Sequence, residues 1–310
     1  MAYTLTEQHL RRLCKINNFD VPTDRMLFFG VRGCLPVDTL DNDFAARHDV
    51  TFTDLNYVNP RCTIIQWRPG GEDFAPFAGS TVPSLRLVRG GTMNNGSGVN
   101  QLVTGYYDDY RKGHHKPGTQ TGHEAFRQNE AHPIRRSADD YDYDNDDRVE
   151  FTNPYDNIHA AWCQGVNEPS VYTSAGCQVI VGFPKCPRRA PNPNIGPWKS
   201  FHDNAYDLAQ TKFPYVLLNG RDALQAIASA AAGTVDARVR FGSTGALVGR
   251  VQTALKERDF YEGLVDNDFG GRTLRAVLDY QTAVFGRDQD DGIVGPLTAS
   301  SLEIADWPKV

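Results

Sequence analysis

The chain has 310 residues, 40% hydrophobic and 23% charged, which excludes global disorder and is long enough for two separate cores. Thirty-two Lys and Arg against 38 Asp and Glu give a net charge of −6, so no overall cationic surface points to nucleic acid. No run approaches the roughly 18 apolar residues of a bilayer-spanning helix, so membrane insertion is not expected. The N-terminal stretch MAYTLTEQHLRRLCKINNFD carries charges where a secretory signal needs an apolar run. Synthesis in the cytoplasm without a signal peptide is the expectation.

Residues Leu5 to Asn17 place Leu10, Leu13 and Cys14 at helical spacing, with Thr6 as N-cap. From Phe28 to about Tyr110 the pattern changes to short β-type runs, Cys62–Trp67, Leu85–Gly90 and Gln101–Tyr107, punctuated by Gly, Pro and Asn. A largely antiparallel sheet is predicted. Residues 108–157 are polar and rich in His and Asp, as long loops over a sheet are. A strand at Gly176–Phe183, a helix around Trp198–Gln210 and a strand at Pro214–Gly220 follow. The small-residue stretch ALQAIASAAAGTVDA then reads as a helix end and linker. The chain divides into an N-terminal helical and extended segment (1–40), a β-rich domain (41–225), a linker (226–240) and a C-terminal domain (241–305).

The C-terminal part contains a repeat. Asp266, Gly270 and Thr273 recur at identical spacing as Asp291, Gly295 and Thr298, and each set precedes a helical pattern: Leu274, Val277, Leu278 and Gln281, then Ala299 and Leu302. Upstream, Leu247, Val251 and Leu255 occupy one helix face. In each turn Asp can bond local N–H groups, Gly takes positive φ and Thr is expected to cap the next helix. From about Phe241 to Leu302 these residues resemble the peptidoglycan-binding domain family of small three-helix modules. Asn267 stands where that family's first turn has Gly, a change that Asn tolerates because it accepts left-handed φ.

His159 precedes the turn Ser174-Ala175-Gly176-Cys177, with 14 residues between His159 and Ser174. A cysteine nucleophile needs a base close in space, which His159 supplies. Gly176 permits a tight turn beside the thiol, Ser174 can brace that turn or bond substrate, and nearby N–H groups can face an oxyanion. Read singly, Cys177 is first a buried structural cysteine and His159 a core histidine, and it is their spacing with Ser174 and Gly176 and the attached C-terminal domain that favour chemistry. The set resembles the catalytic signature of the L,D-transpeptidase family, with Ala175 where that family has a second His. Gly105-Tyr106, Gly113 to His115, His123 to Gln128 and Arg135-Arg136 look similar to the loop region of a divergent, phage-encoded branch. The resemblance covers roughly residues 55–220.

That resemblance implies a multi-domain, mainly-β protein: an L,D-transpeptidase-like β-sandwich with long loops, followed by a small all-α three-helix domain. It implies a thioacyl-enzyme on Cys177, with His159 as base, acting on the L,D-bond of stem peptides by transpeptidation or hydrolysis. His115, His123, Arg127 and Arg136 are the candidates for binding the acidic stem peptide. Peptidoglycan, both stem peptide and glycan, is the expected partner, and no cofactor or metal is expected. The enzyme would act at the wall or periplasm after phage-type release or dedicated export. The rival is a non-catalytic wall-anchoring or virion structural protein that retains the fold.

Three other readings compete locally. His114, His115, His123 and His132, with Glu124 or Asp139, offer zinc ligands but lack a recognised spacing. Asp140, Asp142 and Asp144 imitate a calcium loop, yet Asn145 replaces its Gly and Phe151 its Glu. Of the six cysteines, Cys163, Cys177 and Cys186 permit disulfide pairing, although free buried thiols are favoured without a secretory signal.

Overall fold

The computed structural model describes residues 1–95, 98–137, 148–167, 169 and 171–310. Strand β1 (Ala2–Thr6) leads directly into helix α1 (Glu7–Ile16). Thr6 caps that helix as expected: its hydroxyl accepts from His9 N–H, and the His9 ring accepts from Thr6 N–H. Next come β2 (Leu27–Arg32), β3 (Cys34–Pro36) and β4 (Arg47–Phe52). Strand β4 lies between β1 and β3 in a three-stranded antiparallel sheet. Strands β5 (Cys62–Arg68) and β6 (Asp73–Ser80) form a hairpin.

Residues 85–90, read as a strand, instead begin helix α2 (Leu85–Asn95). The Ser84 carbonyl accepts from both Leu87 and Val88 N–H, which starts a helical turn. A run of six residues fits either period, so its apolar pattern cannot decide.

Strands β7 (Asn100–Leu102), β8 (Gly105–His115), β9 (His123–Arg127), β10 (His132–Arg136), β11 (Arg148–Thr152), β12 (Ile158–Ala160) and β13 (Gln178–Ile180) follow. Helix α3 (Pro197–Tyr206), β14 (Lys212–Asn219) and α4 (Gly220–Ala232) complete the first domain.

The principal sheet is a closed barrel in the order β12-β13-β6-β5-β2-β14-β8-β9, which corrects the expected sandwich. Two parallel pairings achieve closure. Strand β14 runs parallel to β2 while pairing antiparallel with β8. Strand β12 runs parallel to β13 and meets β9 at Ile158–Phe126. These strands join edges that a sandwich leaves open, and unpaired edge groups are costly or adhesive. The remaining pairs are antiparallel, so the predicted sheet is right in kind but not in closure.

Both faces of β2 are buried. Phe28 joins a core of Phe77, Phe126, Phe201 and Phe213, stacked on Phe213 at 4.8 Å. Leu27, Phe29 and Val31 face the other way, into a core with α1 and α4. That is why LFFGV reads as an unbroken apolar run.

The C-terminal domain contains α5 (Ala246–Lys256), α6 (Gly271–Phe285) and α7 (Pro296–Ser301) around a core that also takes in Val103 and Val149 of the β-rich part. Its repeat is organised by a buried Gln in each half. Gln252 donates to Asp266 Oδ1, Asp268 O and Thr273 Oγ1, and accepts from Asp266 and Asn267 N–H. Gln281 donates to Asp291 Oδ1, Ile293 O and Thr298 Oγ1, and accepts from Gly292 N–H. Asn267 at φ +63° and Gly292 at φ +72° occupy equivalent left-handed positions. Thr273 and Thr298 are not caps: Gly270 and Gly295 are, because each Thr hydroxyl is held inward by its Gln.

Residues 226–240, read as a linker, continue α4 to Ala232 and then run between the two cores. Ala237, Val239 and Arg240 are buried there. The Arg240 guanidinium bonds Asp222 Oδ1 at 3.1 Å and Thr104 Oγ1 at 3.1 Å. Among the described residues no helix is long and apolar enough to cross a membrane.

Candidate functional site

Four chain segments converge at one end of the barrel. His159 lies on β12, and Cys177 immediately precedes β13, its parallel neighbour. His115 and His123 are cross-strand partners at the end of the β8–β9 ladder. The thiol of Cys177 and one ring nitrogen from each of His115 and His159 lie within 4.8 Å of one another. His115 stacks on His159 at 4.1 Å, and the His123 ring centroid is 5.2 Å from that of His159.

Hydrogen bonds fix the orientation of the His159 and His115 rings. His159 Nδ1 donates to Ala160 O at 2.8 Å, which leaves Nε2 with the basic lone pair. Asn157 Oδ1 accepts from Gln128 N–H, so its Nδ2 donates to His115 Nδ1 at 3.0 Å. The Cys177 thiol donates to Tyr155 O at 3.6 Å.

The trio is neutral at rest. Burial, reinforced by Asp156, pushes the Cys177 thiol well above its ordinary range. Burial, with His115 and His123 adding, holds His159 well below the usual imidazole range. The same burial lowers His115 to about 3 and His123 to about 4, and raises Asp156 to about 7.

The turn before Cys177 is built as its residue types suggest. Gly176 has φ +138°, and a Cβ there would stand 2.6 Å from both Asn100 Cβ and Asp156 Oδ1. Ser174 braces the turn: its hydroxyl donates to Cys177 O at 2.7 Å and accepts from Gly176 N–H. Gln178 N–H is engaged by Asn157 O. The Cys177 N–H lies close enough to its own sulfur to favour the thiolate.

These groups line a cleft of about 760 Å³ that also contains Ser174, His123, Arg127 and the cations Arg86, Lys116 and Arg188. Arg127 lies over the Tyr155 ring at 5.1 Å. Arg136 is placed behind the cleft instead, paired with Glu150 at 2.9 Å and bonded to Asn100 Oδ1. Asn100 in turn donates to Asp156. Asp156, Asn157 and Tyr155 are site residues that the spacing argument passes over. Their one signal is position, directly before β12 and its His159.

Of the four histidines weighed as zinc ligands, His115 and His123 lie together, 5.5 Å between ring centroids, and His132 stands apart from them. His132 is buried against Asp109 at 2.6 Å, and Glu124 is paired with His202 at 2.8 Å. Asp139 and the calcium-like run Asp140, Asp142, Asp144 and Asn145 lie outside the described residues, while Phe151 sits on β11, 6.3 Å from the Phe241 ring. All six cysteines are free and buried, which overturns the disulfide option.

No curated protein and no solved structure matches this chain. The peptidoglycan-binding domain family matches residues 244–302, the segment held by the Gln252 and Gln281 hubs. The C-terminal part of this chain is therefore a peptidoglycan-binding domain, with peptidoglycan as its supported partner.

Proposed function

We propose that the chain is a peptidoglycan-directed cysteine enzyme that cleaves the L,D-bond of stem peptides through a thioacyl-enzyme. One observation carries this reading: Cys177 and His159, distant in sequence, meet in a cleft of a chain that also carries a peptidoglycan-binding domain. Because thiol and imidazole are both neutral at rest, the proton moves as the sulfur attacks. Cys177 Sγ bonds the carbonyl carbon, its proton passes to His159 Nε2, and that proton leaves with the departing amine. The Asn157 and Cys177 N–H groups, both beside the sulfur, are the backbone donors for the oxyanion. Arg86, Lys116, Arg127 and Arg188 suit a substrate with carboxylates. An amine acceptor gives a cross-link, and water gives hydrolysis. The place of action is the cell wall or periplasm, reached by release or dedicated export.

The anchoring alternative draws on a different observation: the thiol is buried, bonded to Tyr155 O and pushed toward its neutral form. Mass spectrometry of disaccharide-tetrapeptide and sacculi, incubated with wild type and Cys177→Ala, separates the two. Products that depend on Cys177 support the enzyme. Unchanged substrates that still co-sediment with both proteins support the anchor.

A further inference from the structure

We propose that Cys177, His159 and His115 form a binding site for a single zinc ion, with the fourth coordination position open to the cleft. Their three donor atoms are the one metal-capable His, Cys, Asp or Glu group among the described residues. A thiolate with two imidazoles matches the preference of Zn²⁺ for sulfur and nitrogen ligands in tetrahedral sites. His159 is already oriented as a metal ligand, since its Nδ1–H rests on the Ala160 carbonyl and its other nitrogen is left free to bind. Beside the trio lies a second, independent sign. His123 is 3% exposed, and its buried Nε2 has no hydrogen-bond partner among the described residues. Its ring centroid is 5.2 Å from His159 and 5.5 Å from His115, so a cation held by the trio would lie next to this orphaned lone pair.

On binding, the Zn–S bond forms as the Cys177 S–H bond breaks, and the proton passes to solvent. Zn–S near 2.3 Å and Zn–N near 2.0 Å bring the donors to about 3.5 Å apart, so the trio contracts. The His115–Asn157 hydrogen bond opens as His115 turns to the metal. An occupied site ties up both the thiol and the lone pair of His159, so zinc switches the cysteine chemistry off. That last consequence rests on the proposed function, whereas metal binding does not.

The test uses the full chain, stripped of metal by chelator. Zn²⁺ is titrated calorimetrically and Co²⁺ by absorption, with Cys177 alkylation measured in parallel. One equivalent per chain, a near-ultraviolet thiolate-to-cobalt band and protection of Cys177 from alkylation are expected. Cys177→Ser, close to isosteric, should abolish the band, and His159→Ala and His115→Ala should weaken zinc at least tenfold, with His114→Ala unchanged. No stoichiometric binding, or binding that survives both Cys177→Ser and His159→Ala, overturns the proposal. A thiol that alkylates readily but takes no metal removes the zinc site and leaves the cysteine enzyme standing. A chain that binds zinc through these residues but has an inert metal-free thiol does the reverse.

Discussion

The imidazoles of His115 and His159 lie face to face, with centroids 4.1 Å apart and planes 19° from parallel. Two rings so placed, His159 buried and His115 half-buried, resist protonation together, which ties the site to the acid stability of the chain. Unfolded histidine titrates near 6.5, whereas His115 is lowered to about 3 and His123 to about 4, with His159 also well below. The unfolded chain therefore takes up protons first, and stability that is full above pH 6.5 is lost toward pH 4. Asp156, raised to about 7, has the opposite sign: its contribution is present in acid and lost as pH rises to 7. Three imidazoles outweigh one carboxyl, each at about 1.4 kcal/mol per pH unit. Urea denaturation of His115→Gln from pH 7 to 4 should show a shallower loss than wild type. An unchanged slope would contradict the assigned burial.

Alkylation of Cys177 should depend on His159. Because the thiol is raised above its ordinary range, its reaction with iodoacetamide should climb through pH 9 rather than level off near neutrality. His159→Ala should slow it by about tenfold or more, in keeping with the usual contribution of a positioned base. Peptide mapping compares it with the other five cysteines. Equal rates at Cys177 in both proteins would disconnect the pair.

Gly176→Ala should damage both fold and site. The new Cβ would meet Asn100 and the Asp156 carboxylate at 2.6 Å, on backbone at φ +138°. Strain of about 1–3 kcal/mol is expected for such a position. Chemical denaturation measures it, and a change below a few tenths would show that the turn can relax.

Gln252→Leu removes one hub and strands the Asp266, Asn267 and Thr273 groups that it satisfies. Asp266 and Asn267 are exposed and can turn to water, so the loss is about 1–3 kcal/mol in all, from the buried Thr273 and the closed turn, and the C-terminal domain should melt earlier and sediment less with sacculi. Gln281→Leu should do the same through Asp291, Gly292 and Thr298. Unaltered sedimentation in both variants would separate the hubs from wall binding.

Arg240 is 1% exposed and faces Asp222, which Arg238 also contacts at 2.9 Å. Arg240→Met removes a charge that lies between the domains. Breaking a buried pair costs about 3–5 kcal/mol, reduced here because Arg238 stays. Limited proteolysis should then cut within 233–243, with the wild type expected to resist. Resistance in the variant would show that packing alone seals this junction.

Helix α1 and the C-terminal repeat were written locally. Thr6, Leu10, Leu13 and Cys14 fall within a few turns of one another, and Asp266 and Asn267 shape their turn locally, Asn267 rather than Gly270 taking the left-handed φ. The roles of Gln252 and Gln281 escaped that reading, because a Gln on a helix face looks like any surface polar residue until its amide meets a turn fourteen or ten positions away. Similarly, Leu85–Gly90 was too short for its period to separate strand from helix.

The small helical domain was legible in the residues alone, as was the Ser174, Gly176 and Cys177 turn with His159 upstream as a candidate group, since spacing and residue chemistry are local properties. Only the tertiary structure decided that the sheet closes into a barrel, that His115 and His123 gather on His159, and that Arg136 turns away to Glu150. Closure depends on strands as short as Ile158–Ala160 and Gln178–Ile180, whose three residues carry no readable period. Their pairing is fixed by packing and hydrogen bonds between distant parts of the chain, and the site exists only where that pairing brings them together.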